Sequence, residues 1–339
     1  MQPEPEFGSA TDKDAVNIGY IESYQGSVIY RAHLYGFFGQ EDVDVNLYTW
    51  ILDEGVPVKI PIRVPNTHKE MRSLLLDETR IYEDTVKFMM SGAFDGGILN
   101  ASTFITALNQ GVPLVAVAML GREDETNPGR AFLLRNDVRA DSTEDLRGLT
   151  FAVCRETPSH MIFFEEFLKE TGLVRGEDVT IIEGVDAKQA QQWLQEGVID
   201  GGLWTLAPVR HLVNAGVAYV YRRMDWMEPV NHALLVFNRD YIENHPEKVQ
   251  KVVNAYVNRV AYEKNLPKKE RYDESWDRGL MIEGQFEGMN KVVFEFPPKI
   301  RLDLLGKIQN LLLEYEYVDS TVDIADFVDF SFVENALES

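Results

Sequence analysis

Apolar positions change period many times along this chain, and the changes come in an alternating order. VNIGYIES (16–23) is a short apolar run that predicts a buried strand, and SVIYRAHLYGFFG spaces its apolar residues as a helix closed by Gly39. DVDVNLYTW alternates as a second strand. Within 51–78, VPVKIPIRVP alternates too, but its prolines predict an edge strand or an extended loop. Further on, RAFLLRND, LTFAVCRE, DVTIIEGVD and NHALLVFNRD predict strands, with SHMIFFEEFLKETG and AKQAQQWLQEG as helices among them. GREDETNPG (121–129) predicts a turn. DSTEDLRG predicts a short helix with Ser142 or Thr143 as N-cap and Gly148 beyond its end. A long helix from about Asp240 to Asn265, interrupted at Pro246, and the periodic LDLLGKIQNLLLEYEY make the C-terminal part mostly helical. Residues 1–14, polar and Pro-rich, predict a disordered leader. Strands alternating with helices predict an α/β fold with largely parallel sheets.

One segment of this pattern occurs twice. SGAFDGGILNASTF (91–104) and EGVIDGGLWTLAPV (196–209) both follow an amphipathic helical run. Both lead into a second helical run, a Gly-Val step and another apolar strand. The repeated aspartates, Asp95 and Asp200, are 105 positions apart, well beyond the roughly 20–50-residue period of a solenoid. The repeat therefore predicts two similar α/β lobes and a cleft between them. RAFLLRND and HALLVFNRD, crossing between the lobes, would form a two-stranded hinge. On that division lobe one is discontinuous, 15–137 plus 230–339, and lobe two is 138–229.

Composition narrows the partners. The chain has 339 residues, enough for two cores, and its formal net charge is −22 with a pI near 4.7. Such a surface repels nucleic-acid phosphate and anionic lipid, so neither is an expected partner. A single cysteine, Cys154, excludes an intramolecular disulfide and Cys-rich metal sites; in an apolar strand pattern it reads as a buried, inert thiol. No window approaches the ~18 apolar residues of a membrane span. MQPEPEFGSATDKDA lacks the basic and apolar regions of a signal peptide. Two expectations stay open: a cytosolic chain, or an exported one whose signal is not in this sequence.

In open α/β sheets ligands lie beyond the carboxyl ends of strands, against helix N-termini. Four loops answer that description: Ser23-Tyr24-Gln25-Gly26, Asn100-Ala101-Ser102-Thr103, Glu156-Thr157-Pro158-Ser159-His160 and Trp204-Thr205-Leu206-Ala207. Each opens a helix, where unpaired N–H groups and the positive dipole end favour anions and acceptors. Plain N-capping is the alternative for every polar residue among them, and Gly96 and Gly201 read equally as small residues that allow close packing. Tyr24 and Trp204, placed in loops, are candidate stacking platforms, while Phe104 and Trp226 read as core. Asn231, opening the return strand, joins the candidate ligand set, and Arg155 is a candidate anion partner. No P-loop, Gly-x-Gly-x-x-Gly, His-Glu-x-x-His or Gly-x-Ser-x-Gly element is present, and the six histidines have no metal-ligand spacing. His160 is the histidine with an expected cleft role; His33 and His245 read as structural. No catalytic residue, metal or cofactor is expected.

These stretches together carry a resemblance. YIESYQGSVIYRAHLYGFF, FDGGILNASTFITALNQGVPLVAVAML, RAFLLRNDVRADSTEDLRGLTFAVCRETPSHMIFFEEFL and VNHALLVFNRDYIENHPEKVQKVVNAYV follow one another as in the type II periplasmic-binding-protein fold. They resemble in particular the NMT1/THI5-like group, the substrate-binding proteins of ABC importers for nitrate, sulfonates, taurine and thiamine-pyrimidine precursors. The match covers roughly residues 15–335. It implies two lobes, each a mostly parallel sheet flanked by helices, joined by two hinge strands and closing on a small organic solute without catalysis. It also implies a membrane permease as partner, a periplasmic or extracellular-face location and a monomer. Enzymes on the same fold are the alternative, as is a ligand sensor. The desulfinases of this fold carry a nucleophilic cysteine in the loop after strand one, where this chain has Ser23-Tyr24-Gln25-Gly26. The thiamine-pyrimidine synthases carry a cysteine-rich motif that one cysteine cannot supply.

Overall fold

The computed structural model describes residues 14–20, 27–53, 56–61, 82–122, 130–154, 158–185, 187–205, 212–224, 232–266 and 295–338. The first third holds strand β1 (Val16–Gly19), helices α1 (Ser27–Leu34) and α2 (Phe37–Gln40), strands β2 (Val45–Asp53) and β3 (Val56–Pro61), helix α3 (Tyr82–Met90), strand β4 (Gly96–Asn100), helix α4 (Ala101–Asn109) and strand β5 (Leu114–Arg122). Then come β6 (Arg130–Arg135), a 3-10 turn (Thr143–Leu146), β7 (Thr150–Cys154), α5 (Pro158–Thr171), β8 (Thr180–Val185), α6 (Ala187–Glu196), β9 (Gly201–Thr205) and β10 (Ala218–Arg223). The last third holds β11 (His232–Asn238), α7 (Arg239–Asn244), α8 (Pro246–Asn265), α9 (Leu302–Glu314), a second 3-10 turn (Ile324–Phe327) and α10 (Ser331–Glu338).

The strands form two sheets, ordered β3-β2-β1-β4-β11-β5 and β10-β6-β9-β7-β8. Laid on each other, β2-β1-β4-β11-β5 corresponds to β8-β7-β9-β6-β10. In each sheet three neighbouring strands are parallel, and the fourth and fifth continue antiparallel. β3 is the extra strand, antiparallel to β2 at the sheet edge, the place in a sheet where prolines such as Pro57 and Pro61 are tolerated. The chain passes between sheets twice, after Arg122 and after Met224, beside the two strands expected in the hinge. Each of those strands lies wholly in one sheet. Arg130–Arg135 pairs with β9 and β10, so it goes with the second lobe and not with 15–137 as the sequence division had it.

The repeated aspartates do the same work in both lobes. The Asp95 carboxylate accepts the Asn17 N–H of β1 at 2.7 Å, and the Asp200 carboxylate accepts the Thr150 N–H of β7 at 2.9 Å. Their own N–H groups donate back to the carbonyls of Asn17 and Thr150 (2.8 Å each). Their carbonyls accept from Asn238 on β11's end (3.1 Å) and Arg135 on β6's end (2.8 Å). Each Asp thus ties the amino ends of two parallel strands to the carboxyl end of the antiparallel strand beside them. The glycine after each is required by space: a Cβ at Gly201 would lie 2.4 Å from the Leu133 carbonyl oxygen, and one at Gly96 would lie 2.8 Å from that of Val236.

Three cores follow from alternation along the strands. On β11, Ala233, Leu235 and Phe237 face α1, α8 and α10, while Leu234 and Val236 face α3, α4 and α9. This is why NHALLVFN reads as continuously apolar: both faces are covered. The second of these cores runs on into lobe two through Phe163, Phe164 and Phe167 of α5. The third lies under α6, around Ala190, Leu194 and Trp204. Lobe one is further tied by Glu263 of α8, which accepts from Arg31 Nε of α1 (2.5 Å) and from Arg259 Nε (2.8 Å). Burial pushes the Glu263 carboxyl up, but the two guanidinium groups outweigh it and hold it below its usual range.

Candidate functional site

Each sheet has a point where the winding reverses. The chain leaves β1 towards β2 on one side and leaves β4 towards β11 and β5 on the other; in lobe two the corresponding pair is β7 and β9. Ligands of open α/β sheets bind outside the carboxyl ends of strands at such points. The four loops singled out in the sequence are the four that leave these strands. Two of the helices they open, α4 of lobe one and α5 of lobe two, pack directly on each other.

On the lobe-one side, Asn100 ends β4 and caps α4. Its Oδ1 accepts the Thr103 N–H at 2.8 Å and the Ser102 hydroxyl at 2.9 Å. Asn100, Ala101, Ser102 and Thr103 are all buried. The capping alternative therefore accounts for the Asn100 carbonyl.

On the lobe-two side, Pro158 starts α5 in the position where its missing N–H costs nothing. Ser159 and His160 follow, each 2% exposed. His160 Nε2 accepts from Arg130 Nε at 3.4 Å, and the Arg130 guanidinium carbon stands 4.6 Å from the centre of the Phe163 ring. Burial, and then the Arg130 charge, push His160 well below its ordinary range, so the imidazole is neutral. With Nε2 accepting, its proton sits on Nδ1. Arg130 is 5% exposed, an uncommon state for a guanidinium. It stands at the first position of β6, directly opposite Thr205 at the carboxyl end of β9. The sequence pattern singles out Arg155, not Arg130, as a candidate anion partner. The signal was a charged residue heading the otherwise apolar run RAFLL.

Trp204 differs from its expected place. It is the fourth residue of β9, not a loop residue, and its indole is 1% exposed in the core under α6. The six-membered ring lies over Gly202, where an added Cβ would come within 2.5 Å of it. The missing side chain at 202 makes the room that draws Trp204 inward. Its Nε1–H has no hydrogen-bond partner among the described residues. Thr205 ends the same strand. Ser23, Tyr24, Gln25, Arg155, Thr157, Trp226 and Asn231 lie outside the described residues. Among the described residues, no three of His, Cys, Asp and Glu gather as a metal site, and no helix is long and apolar enough to cross a membrane.

Solved structures share this architecture. The periplasmic aliphatic sulphonate-binding protein SsuA of Escherichia coli superposes with a TM-score of 0.68 at 15% identity, over 93% of this chain and 92% of its own. A ligand-binding component of an ABC-type import system from Staphylococcus aureus, solved with zinc bound, gives 0.64 at 14% identity over 96% and 100%. The desulfurization enzyme DSZB gives 0.67 at 12% over 96% and 99%. At these identities the likeness establishes the fold, the periplasmic-binding-protein fold, which serves binding proteins and an enzyme alike. No curated protein matches the chain in sequence. The family described as NMT1/THI5 like matches residues 76–270, more than half of the chain, and the chain belongs to that family.

Proposed function

We propose that this chain is the substrate-binding component of an ABC-type importer, closing its two lobes on a small organic solute and delivering it unchanged to a membrane permease. The observation that carries this reading is the packing of α4 on α5, the helices that leave the two sheet reversals, with buried Asn100, Ser102, Ser159 and His160 at their starts and Arg130 bonded to His160. Helix N-termini and a guanidinium suit a sulfonate or carboxylate. A neutral His160 offers a hydrogen-bonding partner without adding charge. On the family resemblance, Ser23, Tyr24, Gln25, Thr157, Thr205 and Asn231 complete the lining, and the location is periplasmic or on the outer face of the membrane. Trp204, buried in the core, is not assigned to the lining.

The second reading, an enzyme, is favoured by the likeness to the desulfurization enzyme. One panel separates the two. Alkanesulfonates, carboxylates and pyrimidine heterocycles are added to the full chain, and the thermal midpoint and the recovered compound are both measured. A binder present at 100 times its dissociation constant adds roughly 2.7 kcal/mol. The importer reading expects such a shift from at least one class, weakened in Arg130→Ala, with the compound recovered intact. Steady conversion to product would sink it in favour of the enzyme.

A further inference from the structure

We infer that α5 and α9 form a latch between the lobes, set by a Tyr–Glu hydrogen bond and a Lys–Glu pair at the far end of the interlobe core. The inference rests on the proposed lobe closure and concerns how that closure is biased.

α9 belongs with lobe one. It packs along α4 and, through Gln309, pairs with both backbone groups of Val322 (3.0 and 3.2 Å). The segment after it returns to lobe one at Ser320, which reaches Asn109 at 3.3 Å, and at Asp329, which donates to the Ala116 carbonyl at 3.0 Å. α5 belongs with lobe two, following β7 and packing on β7 and β9. The two helices nevertheless touch. Tyr315 Oη, just past the end of α9, donates to Glu166 Oε1 of α5 at 2.5 Å. Lys169 of α5 bonds Glu314 of α9 at 2.7 Å and lies 3.7 Å from Glu166. Beneath them, Phe163, Phe167 and Leu168 share one apolar cluster with Ile308, Leu312 and Val318.

The parts of this contact differ in weight. Lys169 and Glu314 are 60% and 48% exposed, so that pair is screened and adds little alone. The Glu166 side chain is 20% exposed, and a hydrogen bond to a carboxylate in that setting is among the stronger kinds. Burial first, and then the bond to Glu166, push the Tyr315 hydroxyl well above its ordinary range, so it stays a donor. Rotation of the lobes that carries α5 off α9 must break this bond and wet the apolar cluster below. The latch therefore favours the arrangement in which α5 rests on α9, before any solute enters.

Small-angle X-ray scattering of the full, ligand-free chain tests this without knowledge of the solute, so a failed latch and a failed importer reading give different results. Lys169→Glu, which sets like charges against Glu166 and Glu314, is expected to raise the radius of gyration. The swap Lys169→Glu/Glu314→Lys is expected to bring it back. Tyr315→Phe removes one hydroxyl with little risk to folding; it is expected to shift the ratio of docked to released α5–α9 contact about tenfold towards released, as one lost charged hydrogen bond implies. Parent-like scattering from Lys169→Glu and Tyr315→Phe alike would overturn the latch. So would an opening in Lys169→Glu that the swap fails to reverse.

Discussion

Asp95 and Asp200 hold the same place in the two lobes, and their side chains cap a backbone N–H that a neighbouring parallel strand cannot satisfy. Replacing Asp200 by Ala strands the Thr150 N–H, and chemical denaturation should register a loss of about 1–3 kcal/mol. Asp95 adds a refinement: burial raises its carboxyl against the opposing bonds from Asn17. Asp95→Asn, which keeps an acceptor and sheds the charge, should cost less than Asp95→Ala. His160 makes the pH prediction. Its folded pKa is depressed by burial and by Arg130, so its contribution is complete above the unfolded value of about 6.5. That contribution is lost progressively as pH falls below this value towards the folded one. Thermal midpoints between pH 7.5 and 5 should fall less steeply in His160→Gln than in the parent; equal slopes would contradict a buried neutral imidazole. At this scale the sequence was readable where the residue type serves a local need. Asn100 caps a helix and Pro158 starts one. It was unreadable where the answer depends on what lies elsewhere: Gly202 draws Trp204 inward, and strand pairing sets Arg130 opposite Thr205 at the carboxyl end of β9.

Elements were legible where period and punctuation agreed. DSTEDLRG forms a single 3-10 turn, with Asp145 accepting the Ser142 N–H at 2.8 Å and Gly148 beyond it at φ 81°. The long helix breaks at His245, and Pro246 opens α8 at its first position. SVIYRAHLYGFFG, read as one helix, is two, because Gly36 turns left-handed at φ 74° between α1 and α2. Sheet membership was harder. RAFLLRND has the apolar content of a central strand in either lobe, and only its pairing with β9 and β10 decides between them. That pairing requires glycine across from Leu133 and Leu134. Gly201→Ala sets a Cβ 2.4 Å from the Leu133 carbonyl oxygen, a backbone atom that cannot swing aside. It should destabilise the chain by about 1–3 kcal/mol or more, measured as a drop in the denaturation midpoint. Gly216→Ala makes a useful contrast, since no atom lies within 4 Å of its added Cβ and only its positive φ is strained.

For the whole molecule, the doubled Asp-Gly-Gly segment marks a doubled sheet, and the helices that leave the two strand reversals, α4 and α5, pack on each other. The surface charge of −22 gives no long-range attraction to an anionic solute, so capture of one would rest on local groups: two helix N-termini and Arg130. The two lobes also bring unlike chemistry, a small hydroxyl-bearing cap at Asn100–Thr103 and a guanidinium–imidazole pair at Arg130 and His160. A solute with unlike ends fits that arrangement. Titration calorimetry of the full chain with alkanesulfonates, carboxylates and pyrimidine heterocycles, followed by mass analysis of the recovered compound, tests the central claim most directly. The account predicts that at least one class binds one to one and is recovered unchanged, and that Arg130→Ala weakens this binding at least tenfold. Absence of binding across all three classes, or conversion of the bound compound, would contradict it.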